Sequence, residues 1–167
     1  MTNRLDFWIR EGVEADLPFM EEMLRAAACW SGEDGVDVDE VMSEPEIAVI
    51  LRDWGRPGDT ASIAESETGQ PMGAAWYRFY AKENHSYGFV DEETPELAIA
   101  VRRECRNRGL GTSLLERLIT EAAKQEVGSL SLSVDRVNYA VRMYERAGFL
   151  NVGDEPDDHW TMVLNLR

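Results

Sequence analysis

The chain predicts a mixed α/β fold: a mostly antiparallel sheet with helices on both faces, in the order β-α-α-β-β-β-α-β-α-β-β. Three observations carry this prediction. Two strand-like segments flank the turn Thr68-Gly69-Gln70-Pro71 at hairpin spacing. Residues 95–101, Pro-Glu-Leu-Ala-Ile-Ala-Val, form a nearly continuous apolar run of the kind expected for a central strand covered on both faces. After that run, helical and strand periods alternate to the end of the chain, as in βαβ units added to an antiparallel start.

Each element has its own warrant. Phe7, Trp8 and Ile9 predict the first strand, and Asp16 offers its carboxylate as N-cap to a helix with Leu17, Met20, Leu24 and Ala27 on one face. A second helix is expected over residues 38–52, although Pro45 lies inside it. Residues 54–59 are turn chemistry, and residues 61–65 and 72–80 are the two hairpin strands. Leu110, Leu114, Leu115, Leu118, Ile119 and Ala122 fall at helical spacing, with Gly128 just past the end. Residues 129–134 alternate polar and apolar with period two. Asn138 can cap a helix carrying Val141, Tyr144 and Ala147, with Gly148 as its left-handed exit; residues 149–153 and 160–166 then close as strands.

Composition sets the boundaries of function. The 167 residues carry 32 acids and 17 bases, a formal charge of −15, with 44% apolar residues. That balance suits one globular domain, residues 1–167, and no apolar run approaches the roughly eighteen residues that a spanning helix needs. The N-terminus lacks a secretory signal, and Cys29 and Cys105 show no C-x-x-C pairing, so a reducing, cytoplasmic location is expected. The acids are concentrated in residues 1–100, which hold 22 against 7 bases, whereas residues 101–167 hold 10 of each. Nucleic acid is an unlikely partner for such a surface, and a cationic small molecule or amine a suitable one; plain solubility is the other reading of the same charge.

The informative stretch is Arg106-Asn107-Arg108-Gly109-Leu110-Gly111-Thr112, between the apolar strand and an amphipathic helix. A helix start presents N–H groups without intrahelical partners at the positive end of the macrodipole, so main chain alone can hold a pyrophosphate. Arg102, Arg103, Arg106 and Arg108 against Glu104 make the turn locally basic. A dinucleotide fingerprint would need glycine where Leu114 stands, and a P-loop needs a Gly-Lys-Ser/Thr that the chain lacks. A tight strand-to-helix turn with no ligand is the alternative for the glycines alone.

Two segments together resemble the GCN5-related N-acetyltransferases. Val101 followed by Arg106-Asn107-Arg108-Gly109-Leu110-Gly111 is similar to that family's acetyl-coenzyme A signature, and Asn138-Tyr139-Ala140 through Tyr144 to Gly148-Phe149 is similar to its last helix. The opening strand and helix, Ile9-Arg10 with Ala15-Asp16-Leu17-Pro18, resemble the family's as well. Arg103 and Tyr139 stand where proline is common and Cys105 where an aromatic residue is common.

The resemblance implies that fold and an acetyl-CoA-dependent transfer to an amine, with no covalent acyl-enzyme. It implies that Ile99, Ala100 and Val101 flank the pantetheine arm, that residues Arg106, Asn107, Arg108, Gly109, Leu110, Gly111 and Thr112 hold the diphosphate, and that Asn138 contacts the cofactor or caps its helix. An N–H near Val101 would stabilise charge on the thioester oxygen. Tyr144 matches the family's general acid, a phenol protonated at neutral pH; its other reading is a core aromatic. Glu96 is the candidate base, or else a capping or surface carboxylate. Trp30, Trp54, Trp76 and Tyr77 either wall an acceptor pocket or pack the core, and residues 54–59 and 81–94 are expected to shape that pocket. His85 and His159 have no ligand-like partners, so no metal is indicated, and both thiols read as small apolar groups. The expected partner is a small-molecule amine, with no nucleic acid, no membrane and a homodimer as one option. A non-catalytic CoA-binding sensor that contacts another protein, and a transferase using a longer acyl-CoA, are the alternatives.

Overall fold

The computed structural model describes residues 6–153 and 158–167. Its strands are β1 (Phe7–Glu11), β2 (Thr60–Ser66), β3 (Pro71–Arg78), β4 (Glu96–Val101), β5 (Ser129–Asp135), β6 (Leu150–Asn151) and β7 (His159–Asn165). The helices are α1 (Leu17–Ala28), α2 (Val38–Ser43), α3 (Pro45–Ala48), α4 (Leu110–Lys124) and α5 (Val141–Ala147). All seven strands join one sheet in the order β1-β2-β3-β4-β5-β7-β6. Every neighbouring pair is antiparallel except β4 with β5. The expected mixed sheet is therefore present, and the apolar run is its central strand.

Side chains alternate across the sheet and feed two cores. On one face Ala64, Ala75, Tyr77 and Leu97 meet Leu110, Leu114, Leu115 and Leu118 of α4. On the other, Ile63, Ala74, Trp76 and Ala100 meet Met20, Met23 and Leu24 of α1 and the segment Val49-Ile50-Leu51. Each fully buried leucine or isoleucine contributes about 1.5–3 kcal/mol. Trp76 and Tyr77 are 1% and 0% exposed, so both belong to the core and not to a pocket wall.

A buried ion pair fastens the segment after α3 to the sheet. Arg78 donates from Nη2 and Nε to the Asp59 carboxylate at 2.6 and 2.9 Å, and from Nη1 to the carbonyls of Val49 and Arg52 at 3.1 and 2.7 Å. Its guanidinium lies 5.0 Å from the centroid of Trp54. Trp54 and Asp59 are thereby consumed in holding the fold.

Several local expectations are corrected. The helix expected over residues 38–52 is two short helices, because Pro45 cannot continue the first and starts the second, with Glu44 extended between them (φ −56°, ψ 133°). Asp16 does not cap α1 with its side chain: its two carboxylate oxygens accept from Arg10 at 2.7 Å, and one of them accepts from the Val13 N–H that opens the preceding 3-10 turn, Glu14–Asp16. The strand at 149–153 shrinks to two residues. The central strand is not covered along its whole length, since Ala98, Ile99 and Val101 are only half-buried. What they face is the site.

Candidate active site

Strands β4 and β5 are parallel neighbours that part almost at once. Their single register pair is Glu96 with Ser131, supported by the Ser131 N–H donating to the Pro95 carbonyl at 3.0 Å. The Arg102 N–H donates to Met72 on β3 at 2.8 Å, which fixes the parity of the strand: Ala98 and Ala100 turn their main-chain groups to β3, and Ile99 and Val101 turn theirs towards β5. With no strand alongside, those groups border an open cleft of about 640 Å³. Ala100 borders the same cleft but keeps its main chain paired with Ala74.

The closed end of the cleft is built around Glu96. Residue 88 sits against the main chain of β5, where a β-carbon would lie 2.7 Å from both Leu132 C and Ser133 N, so only glycine fits. From there the Gly88 N–H donates to Glu96 Oε1 at 3.0 Å. Covered in this way, Glu96 is 8% exposed and its carboxyl is pushed up to about 7, because burial disfavours the charged form more than the Gly88 N–H favours it. Its Oε2 has no hydrogen-bond partner among the described residues. A carboxyl that titrates near neutrality can take a proton from an ammonium and release it again.

Tyr144, on α5, lines the same cleft. Its ring packs edge-on against Phe149 at 5.9 Å, and burial holds the phenol well above its ordinary range, so it stays protonated at neutral pH. The proton acceptor and the proton donor suggested by the sequence thus border one cavity.

At the other end lies the turn into α4. Asn107 and Gly109 both adopt left-handed backbone, φ 60° and 80°. Nothing lies within 4 Å of a β-carbon at residue 109, so conformation and not space calls for glycine there. Gly109 is the N-cap and offers no side-chain cap, and the first turn holds no acid. The N–H groups of Leu110, Gly111 and Thr112 therefore have no intrahelical acceptor, while the side chain of Leu110 is buried in the core. Arg108 is exposed beside them, and Arg106 donates from Nε to the Val101 carbonyl at 3.3 Å. Charge, free N–H groups and left-handed turns suit a phosphate. Asn138 borders the cleft and accepts from the Ala140 N–H at 2.9 Å, so it shapes the turn that precedes α5, whose N-cap is Ala140.

The remaining wall comes from parts of the chain that carry no motif. Leu24, Ile47 and Ile50 give it apolar surface, and Trp30 meets Tyr139 edge-on at 6.5 Å. Tyr87 Oη donates to Glu44 Oε2 at 2.8 Å. Residues 54–59, expected to shape this wall, do not reach it, whereas the expected loop 81–94 contributes Ser86 and Tyr87; α2 and α3 complete the wall. Glu44, Tyr87 and Gly88 were not singled out from sequence, because they stand in a helix break and a long loop without periodicity. Among the described residues no three His, Cys, Asp or Glu side chains group as metal ligands. Burial pushes the Cys105 thiol up, away from a reactive thiolate.

An open mixed sheet whose central strand parts from its parallel neighbour beside an uncapped helix start is the frame of an acyltransferase. The model of the acetyltransferase (GNAT) family matches residues 21–149, and the chain belongs to that family. Its fold is similar to an acetyltransferase of the GNAT family from Staphylococcus aureus Mu50, with TM-score 0.71, 18% identity, and 97% and 100% of the two chains covered. It is similar to the ribosomal-protein-alanine N-acetyltransferase from Brucella melitensis at TM-score 0.66 and 28% identity, covering 95% of this chain and 99% of that one. It is also similar to yncA from Salmonella typhimurium, a putative acetyltransferase solved with acetyl-CoA, at TM-score 0.65 and 23% identity, covering 97% and 95%. No curated protein matches the chain. Among the described residues no helix is long and apolar enough to cross a membrane.

Proposed function

We propose that the chain acetylates the primary amine of a small cationic acceptor by direct attack on the thioester of acetyl-CoA. The observation that carries this reading is Glu96 and Tyr144 on one cleft, the first a buried carboxyl near neutrality and the second a protonated phenol. Acetyl-CoA supplies the activated acyl group. Ile99, Ala100 and Val101 flank its arm, the Val101 N–H meets the charge that develops on the thioester oxygen, Arg106 to Thr112 hold the diphosphate, and Asn138 borders the cofactor. Glu96 takes a proton from the incoming ammonium, the amine nitrogen forms the new bond to carbon as the carbon–sulfur bond breaks, and Tyr144 gives its proton to sulfur. The nitrogen's second surplus proton leaves as the amide forms and restores the Tyr144 phenol, and Glu96 returns its proton to water, so each turnover releases one proton net.

The acidic balance of the chain and the carboxylates on the cleft support a cationic acceptor. The two free thiols, and the exposed Leu150 of edge strand β6 with Val152 beside it, support a cytoplasmic protein able to pair as a homodimer. The test is release of free CoA from acetyl-CoA across a panel of cationic, neutral and acidic amines, with intact mass measured in the absence of amine. Turnover confined to cationic amines and no acetylated protein are expected. Turnover confined to neutral or acidic acceptors, or an acetyl adduct on the protein, would overturn the reading.

A further inference from the structure

Glu96 owes its cover to a segment outside the sheet. The connection between β3 and β4, residues 79–95, passes the carboxyl as a turn at 85–89 that belongs to no helix or strand. From this turn the Gly88 N–H donates to Glu96 Oε1 at 3.0 Å, with the glycine lodged against Leu132 and Ser133, and the buried Ser86 stands beside the same carboxyl. The turn's own main-chain bond, from the Phe89 N–H to the Ser86 carbonyl, is long at 3.4 Å. A pair of rings closes it instead. His85 and Phe89 stack face to face, with centroids 4.2 Å apart and planes 12° from parallel. The His85 Nδ1–H donates to the Ser86 carbonyl at 2.8 Å; because a carbonyl can only accept, this bond fixes the proton on Nδ1. Phe89 in turn packs against the core on the α1 face.

We propose that His85 is a positioning residue for Glu96: stacked on Phe89, it closes the turn that seats Gly88 and Ser86 over the carboxyl. The other neighbours of Glu96 belong to strands that the sheet holds in place. Arg78 lies opposite it on β3 and is committed to Asp59, and Ser131 lies beside it on β5. Tyr80, two residues past Arg78, is kept protonated by burial and adds no charge. Opening the turn would admit water to a carboxyl whose charged form burial disfavours, so its value should fall from about 7 towards the ordinary range. Loss of the Gly88 and Ser86 donors acts in the opposite direction and is the smaller effect. The inference takes the role of Glu96 from the acetyl-transfer reading and adds the residue that holds it.

The test follows the NMR shift of the Glu96 carboxyl carbon against pH in protein isotopically labelled at glutamate, with Glu96→Gln to assign the signal. His85→Ala should lower the midpoint by about one pH unit or more, and Phe89→Leu, which removes the stack from the other side, should do the same. His85→Phe keeps two stacked rings and should leave the midpoint near 7. The break in kcat/KM should move with the midpoint, and kcat/KM at pH 8 should fall about tenfold in His85→Ala and far less in His85→Phe. A midpoint unmoved in His85→Ala, or moved as far in His85→Phe as in His85→Ala, would overturn the proposal. The titration needs no turnover, so absence of CoA release with every amine would overturn acetyl transfer and leave the hold of His85 on the carboxyl standing.

Discussion

At the α4 end of the cleft the groups on offer are main chain: the peptide groups of Ile99 and Val101 border the cleft, and the free N–H groups of Leu110, Gly111 and Thr112 lie at the helix start beyond Arg106. At the α3 end they are side chains, Glu44, Tyr87, Ile47 and Ile50. The contrast teaches how one fold can keep one donor and change its acceptor. Peptide groups are the same whatever residue carries them, so a main-chain cradle needs only the right backbone, which glycine and a parted strand supply. A side-chain pocket is rebuilt with each substitution and can follow any amine.

The contrast can be broken at its supports. The largest effect is expected under the α3 end, where Arg78→Met would strand the Asp59 carboxylate in the interior, 4% exposed at its side chain. Removing one partner of a buried pair costs about 3–5 kcal/mol, and urea unfolding should show a loss of that size. A loss below about 1 kcal/mol would mean that the segment carrying α3 does not depend on its anchor. Next comes Tyr144→Phe, which keeps the ring against Phe149 and removes the hydroxyl proposed as proton donor. The expected fall in kcat is about a hundredfold with acetyl-CoA binding retained in calorimetry; unchanged kcat would return Tyr144 to a packing role. The smallest change is Gly109→Ala at the main-chain end. A left-handed residue other than glycine costs about 1–2 kcal/mol, visible as a lowered melting temperature and weaker CoA binding. Unchanged CoA affinity would show that the turn does not set the free N–H groups.

The same division governs what could be read from residues alone. The α4 end was legible because its determinants are contiguous: an apolar strand, a Gly-x-Gly turn and a periodic helix lie within 95–124. Tyr144 was legible for the same reason, through Asn138 and Gly148-Phe149 on either side of it. Glu96 was named, but its burial was not legible, because it depends on Gly88 packing against Leu132 and Ser133 more than forty residues further along the chain. Asp16 shows the competition that local rules miss. Its position before Leu17-Pro18 fits an N-cap, yet a guanidinium from β1 reached both oxygens first. The α3 end was illegible: Pro45 broke the expected helix and brought Glu44 to the cleft, and no periodicity announces a residue that works from a break.

The pH dependence of kcat/KM for the wild type and Glu96→Gln tests the central claim most directly. Below the folded-state value of Glu96, about 7, the carboxyl carries a proton and cannot take one from the acceptor; above it the carboxylate is free to do so. Glu96→Gln should lower kcat/KM by about 10²–10⁴ at pH 8; the wild-type kcat/KM should rise about tenfold per pH unit up to 7 and level off above it, whereas the variant, which can use only free amine, should keep rising through pH 8. A variant with wild-type activity, or a wild-type profile with no break near pH 7, would contradict the assignment of Glu96 as the proton acceptor of the cleft.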